Sequence, residues 1–281
     1  MTGRLVLVST PIGNLGDLSP RAVDALMTCA LICCEDTRHS GKLLSHAGIS
    51  GVRLAVADEH REAARIDEVL GVLAAGGDVG VVTDAGTPGI SDPGMRLVAA
   101  VVEAGHPVTA VPGPAALVMA LVVSGFDTTR FVFEGFLPRS GKERGERIAE
   151  AAAERRTVVL YEAPHRVART MADLAAACGG DRRVALAREL TKLHEEVWRG
   201  TLDAAVAHTE QVAPRGEYVV VLEGAPAAAD ATDEQILAAL RGEMGGGADR
   251  RSAIATVMAA TGASKRRVYD LALTIPRSAD E

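Results

Sequence analysis

The sequence predicts an α/β protein made of two α/β domains with a cleft between them, followed by a small helical extension. Two observations predict this fold class. Short runs rich in β-branched residues alternate with segments of helical periodicity over the first 223 residues, a pattern typical of parallel or mostly parallel sheets covered by helices. Beyond residue 230 only helical spacing remains. The chain has 281 residues, which is long enough for two such domains.

The first series of patterns predicts five strands with helices between them. The strand runs, from RLVLVS to PVTAV, lie at 4–9, 30–35, 53–56, 79–83 and 107–111. The helical patterns lie near 20–29, 37–47, 61–75 and 92–104. We therefore assign residues 1–113 to an amino-terminal α/β domain.

A second series of patterns predicts another α/β domain over residues 114–224. Its strand runs lie at 130–136, 157–162, 183–189 and 217–223. The following stretch GAPAAADA, residues 224–231, is typical of a linker.

The extension, residues 230–276, has helical spacing broken by glycines at 245–247 and 262, which predicts three short helices. The last two resemble a helix-turn-helix. Its basic residues suit a solvated helical face and nucleic-acid contact equally well. They are Arg241, Arg250, Arg251, Lys265, Arg266 and Arg267.

The composition excludes several classes of protein. A net charge of −7 argues against a general grip on nucleic-acid phosphates, so any nucleic-acid partner must meet a local basic patch. No apolar run approaches the roughly 20 residues of a membrane span, and the amino terminus has no signal-peptide pattern, so we expect a cytoplasmic protein without a membrane partner. The four cysteines form no CxxC pair, which predicts reduced thiols and no metal site.

The stretch VVTDAGTPGISDPG, residues 81–94, is the first candidate for a binding loop. It follows the fourth predicted strand, and open α/β sheets bind ligands beyond the carboxyl ends of their strands. Its glycines permit positive φ or a close ligand, and its prolines stiffen the backbone. The stretch matches neither a dinucleotide fingerprint nor a P-loop. We expect Ser91 or Asp92 to cap the helix that begins near Pro93, and Asp84 is equally suited to capping a turn.

Three other loops follow strands of the same predicted sheet. They are VPGPAA (111–116), STPIGNLGDLSP (9–20) and CEDTRHSGK (34–42). The last of these brings Asp36, Arg38, His39 and Lys42 close together in sequence. Because carboxyl ends of parallel strands share one edge, we expect these loops to line one cleft.

The second half carries polar residues at two predicted strand ends. LYEAPHRV contributes Tyr161, Glu162, His165 and Arg166, and LARELTKLHEE contributes Arg188, Glu189 and Lys192. These residues suit a functional site, but salt bridges between the two halves would explain about half of them. The stretch FLPRSGKERGER, residues 136–147, is basic and suited to phosphate contact through Arg139, Lys142, Arg144 and Arg147, or to a solvated surface.

Together these motifs resemble the ribosomal RNA small-subunit methyltransferase I family, which belongs to the tetrapyrrole-methylase-like class of S-adenosylmethionine enzymes. The motifs that carry the resemblance are STPIGNLGDLSPRA, CEDTRHSGKLL, VTDAGTPGISDPG, VPGPAA, FEGFLPR, YEAPHR, ARELTK and RGEYV. They span about residues 4 to 222, and Thr83 stands where the family pattern suggests Ser.

The resemblance implies α/β domains of the tetrapyrrole methylase type, with S-adenosylmethionine in the cleft. It also implies a homodimer, 2′-O-methylation of a cytidine in 16S ribosomal RNA, and a helical extension like the one described above. The acidic net charge favours RNA within an assembled 30S subunit as the partner. Composition and spacing alone predict only a small-molecule site between two α/β halves. A methylase of a tetrapyrrole or another small acceptor, and a noncatalytic assembly factor bound to ribosomal RNA, remain the alternatives.

By this resemblance each motif acquires an expected role. The expected cofactor residues are Asp84, Gly86, Thr87, Ile90, Pro112, Gly113, Ala115, Ala116, Tyr161, Arg188 and Glu217. The expected acceptor-binding residues are Asn14, His39, Lys42, Arg139 and Lys142. The candidates for catalysis are Asp36, Glu162 and His165 as a base, and Arg38 or Arg166 as a group that orients a phosphate.

Overall fold

The computed structural model describes residues 2–226 and 231–276, so residues 227–230 of the expected linker lie outside the described residues. The chain divides into two compact units, Met1–Ala225 and Pro226–Glu281. We call them the α/β unit and the C-terminal unit. Both sheets lie in the α/β unit. The predicted boundary at residue 113 falls inside this unit and stays a prediction.

The first sheet has five parallel strands in the order β3-β2-β4-β1-β5. The strands are β1 (Leu5–Val8), β2 (Leu31–Cys34), β3 (Leu54–Val56), β4 (Val79–Val81) and β5 (Val108–Val111). The helices are α1 (Pro20–Thr28), α2 (Thr37–His46), α3 (Ile66–Ala74) and α4 (Met95–Glu103), with short 3-10 turns at Leu15–Asp17 and Ala63–Arg65.

Apolar side chains cover both faces of this sheet. On one face, Leu5 and Leu31 pack with residues of α3 and α4. On the other, Val6 and Ile32 pack with residues of α1 and α2. A parallel sheet buried on both sides needs continuous apolar strands, which is why the runs in the sequence do not alternate. Because all five strands run parallel, their carboxyl ends lie at one edge of the sheet.

The second sheet is mixed, unlike the mostly parallel arrangement that the alternating pattern predicts. Its order is β6-β7-β10-β8-β9; only β6 and β7 pair in parallel. The strands are β6 (Phe131–Phe136), β7 (Thr157–Glu162), β8 (Arg183–Arg188), β9 (Glu196–Thr201) and β10 (Tyr218–Leu222). The sequence analysis missed β9, because this edge strand, EVWRGT, is only partly buried and lacks an apolar run.

Four helices cover the second sheet. They are α5 (Ala116–Ser124), α6 (Gly141–Ala153), α7 (Pro164–Cys178) and α8 (Leu202–Gln211). Helices α6, α7 and α8 share one apolar cluster with the sheet, and α5 packs in a separate cluster with β7, β8 and β10. Helix α5 directly follows the loop after β5, so the chain passes from the first sheet to the second with almost no linker.

The C-terminal unit contains the three helices that the glycine breaks predict. They are α9 (Asp233–Gly245), α10 (Arg250–Thr261) and α11 (Lys265–Leu273). Thr232, Asp249 and Ser264 each cap the following helix through a side-chain oxygen, and Gly262 ends α10 at a φ of 67°. The helices enclose their own apolar core. Among the residues that the structure describes, no helix is long and apolar enough to cross a membrane.

The start of α4 differs from the sequence expectation. The helix begins at Met95, and neither Ser91 nor Asp92 caps it. The buried carboxylate of Glu62 accepts hydrogen bonds from the backbone N–H groups of Gly94 and Leu97, at 3.0 and 2.9 Å. A distant acidic side chain therefore satisfies the helix amides that a local cap would otherwise satisfy. This leaves Ser91 and Asp92 available for another role.

We expect Glu62→Ala to lower the free energy of unfolding by about 1–3 kcal/mol, because it leaves buried backbone N–H groups without a hydrogen-bond acceptor. Glu62→Gln keeps one acceptor oxygen and should lose less. Chemical denaturation of both variants, with the exposed Glu59→Ala as control, checks this expectation. Equal stability of Glu62→Ala and Glu59→Ala would contradict the capping role.

Candidate active site

A cavity of about 380 Å³ lies between the carboxyl edge of the first sheet and the second sheet. This volume is typical of small-molecule sites. The first half contributes Ile12, Glu35 and residues 84–87 and 90–92, and the connection after β5 contributes Ala115 and Ala116. The second half contributes Phe136, residues 161–164, Ala187, Glu189, Leu190, Lys192 and residues 217–219. The cavity is therefore the cleft that the sequence analysis predicts.

Three loops from the first sheet are joined by hydrogen bonds at the floor of this cavity. The backbones of Thr10 and Gly86 pair through two hydrogen bonds of 2.8 and 3.1 Å. The Thr87 hydroxyl lies 3.0 Å from the Ser9 hydroxyl and donates to the carbonyl of Pro114 at 3.1 Å. Gly86 has a φ of 87°, a conformation that favours glycine. The glycine-rich loop is thus held against the loops that follow β1 and β5.

Gly113 explains why the loop after β5 contains a glycine between two prolines. A Cβ at this position would lie 2.8 Å from the Cβ of Ser9 and 3.2 Å from its carbonyl oxygen. Only glycine lets the two backbones approach so closely. Pro112 and Gly113 do not line the cavity themselves, whereas Ala115 and Ala116, just beyond them, do.

The apolar wall of the cavity is centred on Tyr161. Its hydroxyl accepts a hydrogen bond from the backbone N–H of Leu117, at 3.3 Å, near the start of α5. Its ring packs at centroid distances of 5.0 Å on Phe133 and 5.6 Å on Phe136. Ile12 and Ile90 add aliphatic surface. This wall suits a flat, largely apolar group such as a nucleobase.

The polar lining of the cavity is strongly acidic. The carboxylate residues that line it are Glu35, Asp84, Asp92, Glu162, Glu189 and Glu217. Lys192 is the one Lys or Arg among the lining residues, and its Nζ lies 2.9 Å from Glu189 and 2.6 Å from Glu217. Burial disfavours its ammonium, but these two carboxylates raise the pKa of Lys192 above its usual value. The cavity therefore retains excess negative charge and suits a cationic ligand.

Three of these acids stand at the edge of the first sheet. Glu35 follows β2, and burial together with the charge of Asp84 raises its pKa. Burial, followed by Glu35, Asp84 and Glu217, raises the pKa of Asp92 to about 7, opposed by a hydrogen bond with the Thr83 hydroxyl. The Oδ1 atom of Asp84 is buried and has no hydrogen-bond partner among the described residues. Such an oxygen is suited to accepting a hydrogen bond from a ligand.

Comparison with known proteins identifies the family. Residues 4–206 match the family described as Tetrapyrrole (Corrin/Porphyrin) Methylases. Ribosomal RNA small subunit methyltransferase I of Synechocystis sp. is 46% identical over 275 residues, covering 97% of this chain and 98% of the relative. This chain belongs to the ribosomal RNA small subunit methyltransferase I family of tetrapyrrole methylases. It is a methyltransferase with S-adenosylmethionine as cofactor.

Other relatives bear on the two units of this family member. The same-named protein of Thermotoga maritima is 45% identical over 222 residues, which are 99% of that relative but 79% of this chain. That length is close to the α/β unit alone. Two solved structures share the fold: a cobalt precorrin-4 methyltransferase (TM-score 0.59, 15% identity, 78% of this chain and 94% of that one) and a uroporphyrin-III C-methyltransferase from Thermus thermophilus (0.54, 19%, 80% and 94%).

The cavity fits the methyltransferase cofactor. S-Adenosylmethionine combines a flat adenosine with a sulfonium and an ammonium group, so it carries net positive charge at neutral pH. The apolar wall around Tyr161 suits the adenine, and the acidic wall suits the cations. The unpartnered oxygen of Asp84, which also lines the cavity, supplies a hydrogen-bond acceptor.

The expected residues divide into two groups. Those that line the cavity are Asp84, Gly86, Thr87, Ile90, Ala115, Ala116, Tyr161, Glu162 and Glu217. Those outside the lining are Pro112, Gly113, Arg188, Asp36, Arg38, His165, Arg166, Asn14, His39, Lys42, Arg139 and Lys142. Their roles in this methyltransferase stay predictions.

Glu162 lines the cavity but its carboxylate is fully engaged. It accepts a hydrogen bond of 2.6 Å from the Thr170 hydroxyl and lies 3.1 Å from Nε of Arg166. Arg166 also donates to the carbonyl of Leu137. The Glu162 side chain is 1% exposed. These contacts hold the end of β7 against α7 and make Glu162 a poor proton acceptor.

The charged residues around α2 are exposed. Asp36 caps the helix, accepting from the backbone N–H of Arg38 at 2.7 Å. Hydrogen bonds from the side chain and backbone of Arg38 hold the pKa of Asp36 well below its usual range. A carboxylate held ionised in this way is a weak base. His39 and Lys42 lie on the same helix, beyond the cavity lining.

Sequence reasoning missed several lining residues. Asp92 was expected to cap α4, a role that Glu62 fills instead. Glu35 belongs to the CEDTRH motif and directly follows β2, so its position at a strand end was the signal that could have found it. Ile12 and Phe136 are ordinary apolar residues in sequence, and only the fold brings them to the site. Arg188 pairs with Glu196 of the unpredicted strand β9, at 2.8 Å.

Proposed function

We propose that this protein transfers a methyl group from S-adenosylmethionine to the 2′-hydroxyl of a cytidine in 16S ribosomal RNA. The observation that carries the proposal is the acid-rich cavity beneath the joined loops, in a chain similar over almost its whole length to small-subunit ribosomal RNA methyltransferases. The proposal sets the reaction in the cytoplasm, where ribosomal subunits assemble.

Several residues are positioned to hold the donor. When bound, the donor supplies an electrophilic methyl group on a cationic sulfur. We assign the adenosine to the surface formed by Ile90, Ala115, Ala116 and Tyr161. Asp84 accepts a hydrogen bond from the donor through its free oxygen. The hydrogen bonds between the loops keep these groups in place before binding, so little ordering entropy is lost when the reactants align.

The acceptor side is supported by exposed polar and basic side chains on α2 and around the start of α6. Arg38, His39 and Lys42 lie on α2, which begins two residues after the cavity residue Glu35. Arg139 and Lys142 adjoin the start of α6, where the Lys142 side chain is 90% exposed. We assign these residues to RNA phosphates. Arg144 and Arg147, also expected to contact phosphate, are instead paired with Asp173 and Glu134. Because the chain as a whole has a charge of −7, the proposed target is RNA within the assembled 30S subunit, met by local patches.

We also propose a homodimer joined through α5. This helix has the sequence ALVMALVVS and is apolar on all sides. One side packs on the second sheet, and the other leaves Val118, Met119, Val122 and Val123 between 38% and 57% exposed. A contiguous apolar face of this kind is typical of a protein interface.

A further part of the proposal concerns the C-terminal unit, which we assign to RNA contact. Helix α11 begins with Lys265, Arg266 and Arg267, and the Arg266 side chain is 94% exposed. Arg267 is engaged with Asp233. The length of the Thermotoga maritima relative supports a unit added to the methyltransferase core.

The proposed reaction is tested with labelled S-adenosylmethionine and small subunits that lack the modification. We expect label in RNA, and nuclease digestion should locate it on the 2′-oxygen of one cytidine. Label on a base would overturn the proposed acceptor atom. Label on an added uroporphyrinogen but not on RNA would favour the small-acceptor methylase, and cofactor binding without any transfer would favour the assembly factor.

For the dimer, Val122→Lys should convert the protein from a dimer to a monomer, because it buries a charge in the proposed interface. Light scattering after size-exclusion chromatography measures the mass. Val102→Lys is the matched control, since Val102 of α4 is 59% exposed and Val122 is 57% exposed. A monomeric wild type, or a dimeric Val122→Lys variant, would contradict the proposal.

For the C-terminal unit, Arg266→Glu should weaken binding to small subunits several-fold at low salt and leave cofactor affinity unchanged. The slope of log K against log salt should become less steep by about 0.7–0.9 per lost phosphate contact. Arg4→Glu, at the opposite edge of the first sheet from the cavity, is the control. Equal effects of both variants on RNA binding would refute a specific contact.

A further inference from the structure

Resting on the proposed function, we propose that Asp92 is the catalytic base that accepts the proton of the acceptor hydroxyl. As the hydroxyl oxygen forms its bond to the methyl carbon, the carbon–sulfur bond breaks and its electron pair stays on sulfur. The hydroxyl proton passes to a carboxylate oxygen of Asp92. The step needs no further reactant, because the oxygen gains the methyl group and the carboxylate gains the proton.

The backbone around Asp92 is built to present it to the cavity. Ser91 has a φ of 59°, which is unusual for a residue other than glycine. Its hydroxyl lies against Gly135 of β6, where a Cβ would lie 3.2 Å from it, so the loop meets the second half of the α/β unit here. Backbone strain of this kind concentrates at functional sites. Since Glu62 caps α4, Asp92 is not needed for that role.

Three of the other cavity acids are less suited to accept a proton, and a fourth, Asp84, is assigned to the donor. Glu162 is enclosed by its hydrogen bonds and ion pair, and Glu189 and Glu217 are paired with Lys192. By contrast, Asp92 is half-buried and lines the cavity.

The charges around Asp92 match it to proton transfer near neutral pH. The ionisable lining residues are Glu35, Asp84, Tyr161, Glu162, Glu189, Lys192, Glu217 and Tyr218. Burial and the charges of Glu35, Asp84 and Glu217 raise the pKa of Asp92 to about 7, near the operating pH that favours a general base. The positive charge of a bound donor acts to lower this pKa, and so favours the ionised, proton-accepting form of Asp92.

The same shift predicts a stability effect with a definite sign. Between an unfolded pKa of about 3.9 and a folded pKa of about 7, the folded state holds more protons on Asp92 than the unfolded state. The contribution of Asp92 to stability therefore falls as the pH rises through this window. Asp92→Asn removes the cost of ionising this carboxyl in the folded state. The variant should therefore melt at a higher temperature than wild type at pH 8 and at a similar temperature at pH 4.

The decisive experiment compares Asp92→Asn, Asp84→Asn and the exposed control Asp24→Asn in the full chain. Single-turnover methyl transfer to small subunits should fall about 10²–10⁴-fold in Asp92→Asn, while calorimetric affinity for S-adenosylmethionine changes less than about tenfold. The wild-type rate should rise with pH to a plateau, and this inflection should vanish in Asp92→Asn. Asp84→Asn should instead weaken cofactor binding and move the inflection to lower pH without abolishing it, because the charge of Asp84 helps to raise the pKa of Asp92.

A readout without turnover uses ¹³C-carboxyl NMR of aspartate in the ligand-free protein. One resonance should titrate near pH 7 and disappear in Asp92→Asn. The inference is overturned if Asp92→Asn keeps the wild-type rate, if Asp84→Asn abolishes the pH inflection, or if every aspartate titrates below pH 5. If the wild-type protein labels no RNA, the proposed function is overturned. If the wild type and Asp92→Asn label RNA equally well, the proposed function stands and only the role of Asp92 is overturned.

Discussion

The hydrogen bonds between Thr10 and Gly86, and between Thr87, Ser9 and Pro114, join three loops that belong to different strands. Everything proposed for the cavity depends on this arrangement. Methyl transfer requires the attacking oxygen and the methyl carbon to be aligned within a fraction of an ångström. Separate flexible loops would have to lose conformational entropy to reach that alignment. The glycines permit the close backbone contacts, and the prolines reduce the number of backbone conformations open to the unfolded chain.

The second physical theme is the concentration of negative charge. Placing six carboxylate residues around one cavity costs free energy in the absence of a cation, because each ionised carboxylate disfavours the ionised form of its neighbours. Lys192 offsets part of this cost for Glu189 and Glu217. The remainder falls on Glu35, Asp84 and Asp92, where a cationic cofactor would relieve it. Stability and function are thus opposed at this site, as they commonly are in enzymes.

Tetrapyrrole methylases with less than 20% identity to this chain share its fold, which shows that the architecture itself does not select the acceptor. Features outside the fold-defining core are better placed to do so. In this chain they are the exposed cations of α2 and α6 and the separate C-terminal unit with its own apolar core.

The sequence by itself determined the elements whose signals are local. Parallel strands buried on both faces need continuous apolar runs, so all five strands of the first sheet were predictable, as were the three glycine-bounded helices at the end of the chain. The loops at the strand ends were predictable as one cleft, because parallel strands share an edge. Nine of the residues expected at the site line the cavity.

The tertiary structure alone decided the rest. Edge strand β9 lacks a local signal, and the mixed order of the second sheet depends on pairing between distant strands. Folding likewise gave Glu62 the capping role expected of Ser91 or Asp92: its buried carboxylate, 32 residues before Gly94, satisfies the helix amides. Asp92 lines the cavity instead. Hydrogen bonds and charge interactions depend on distance in space, and a single sequence reports only distance along the chain.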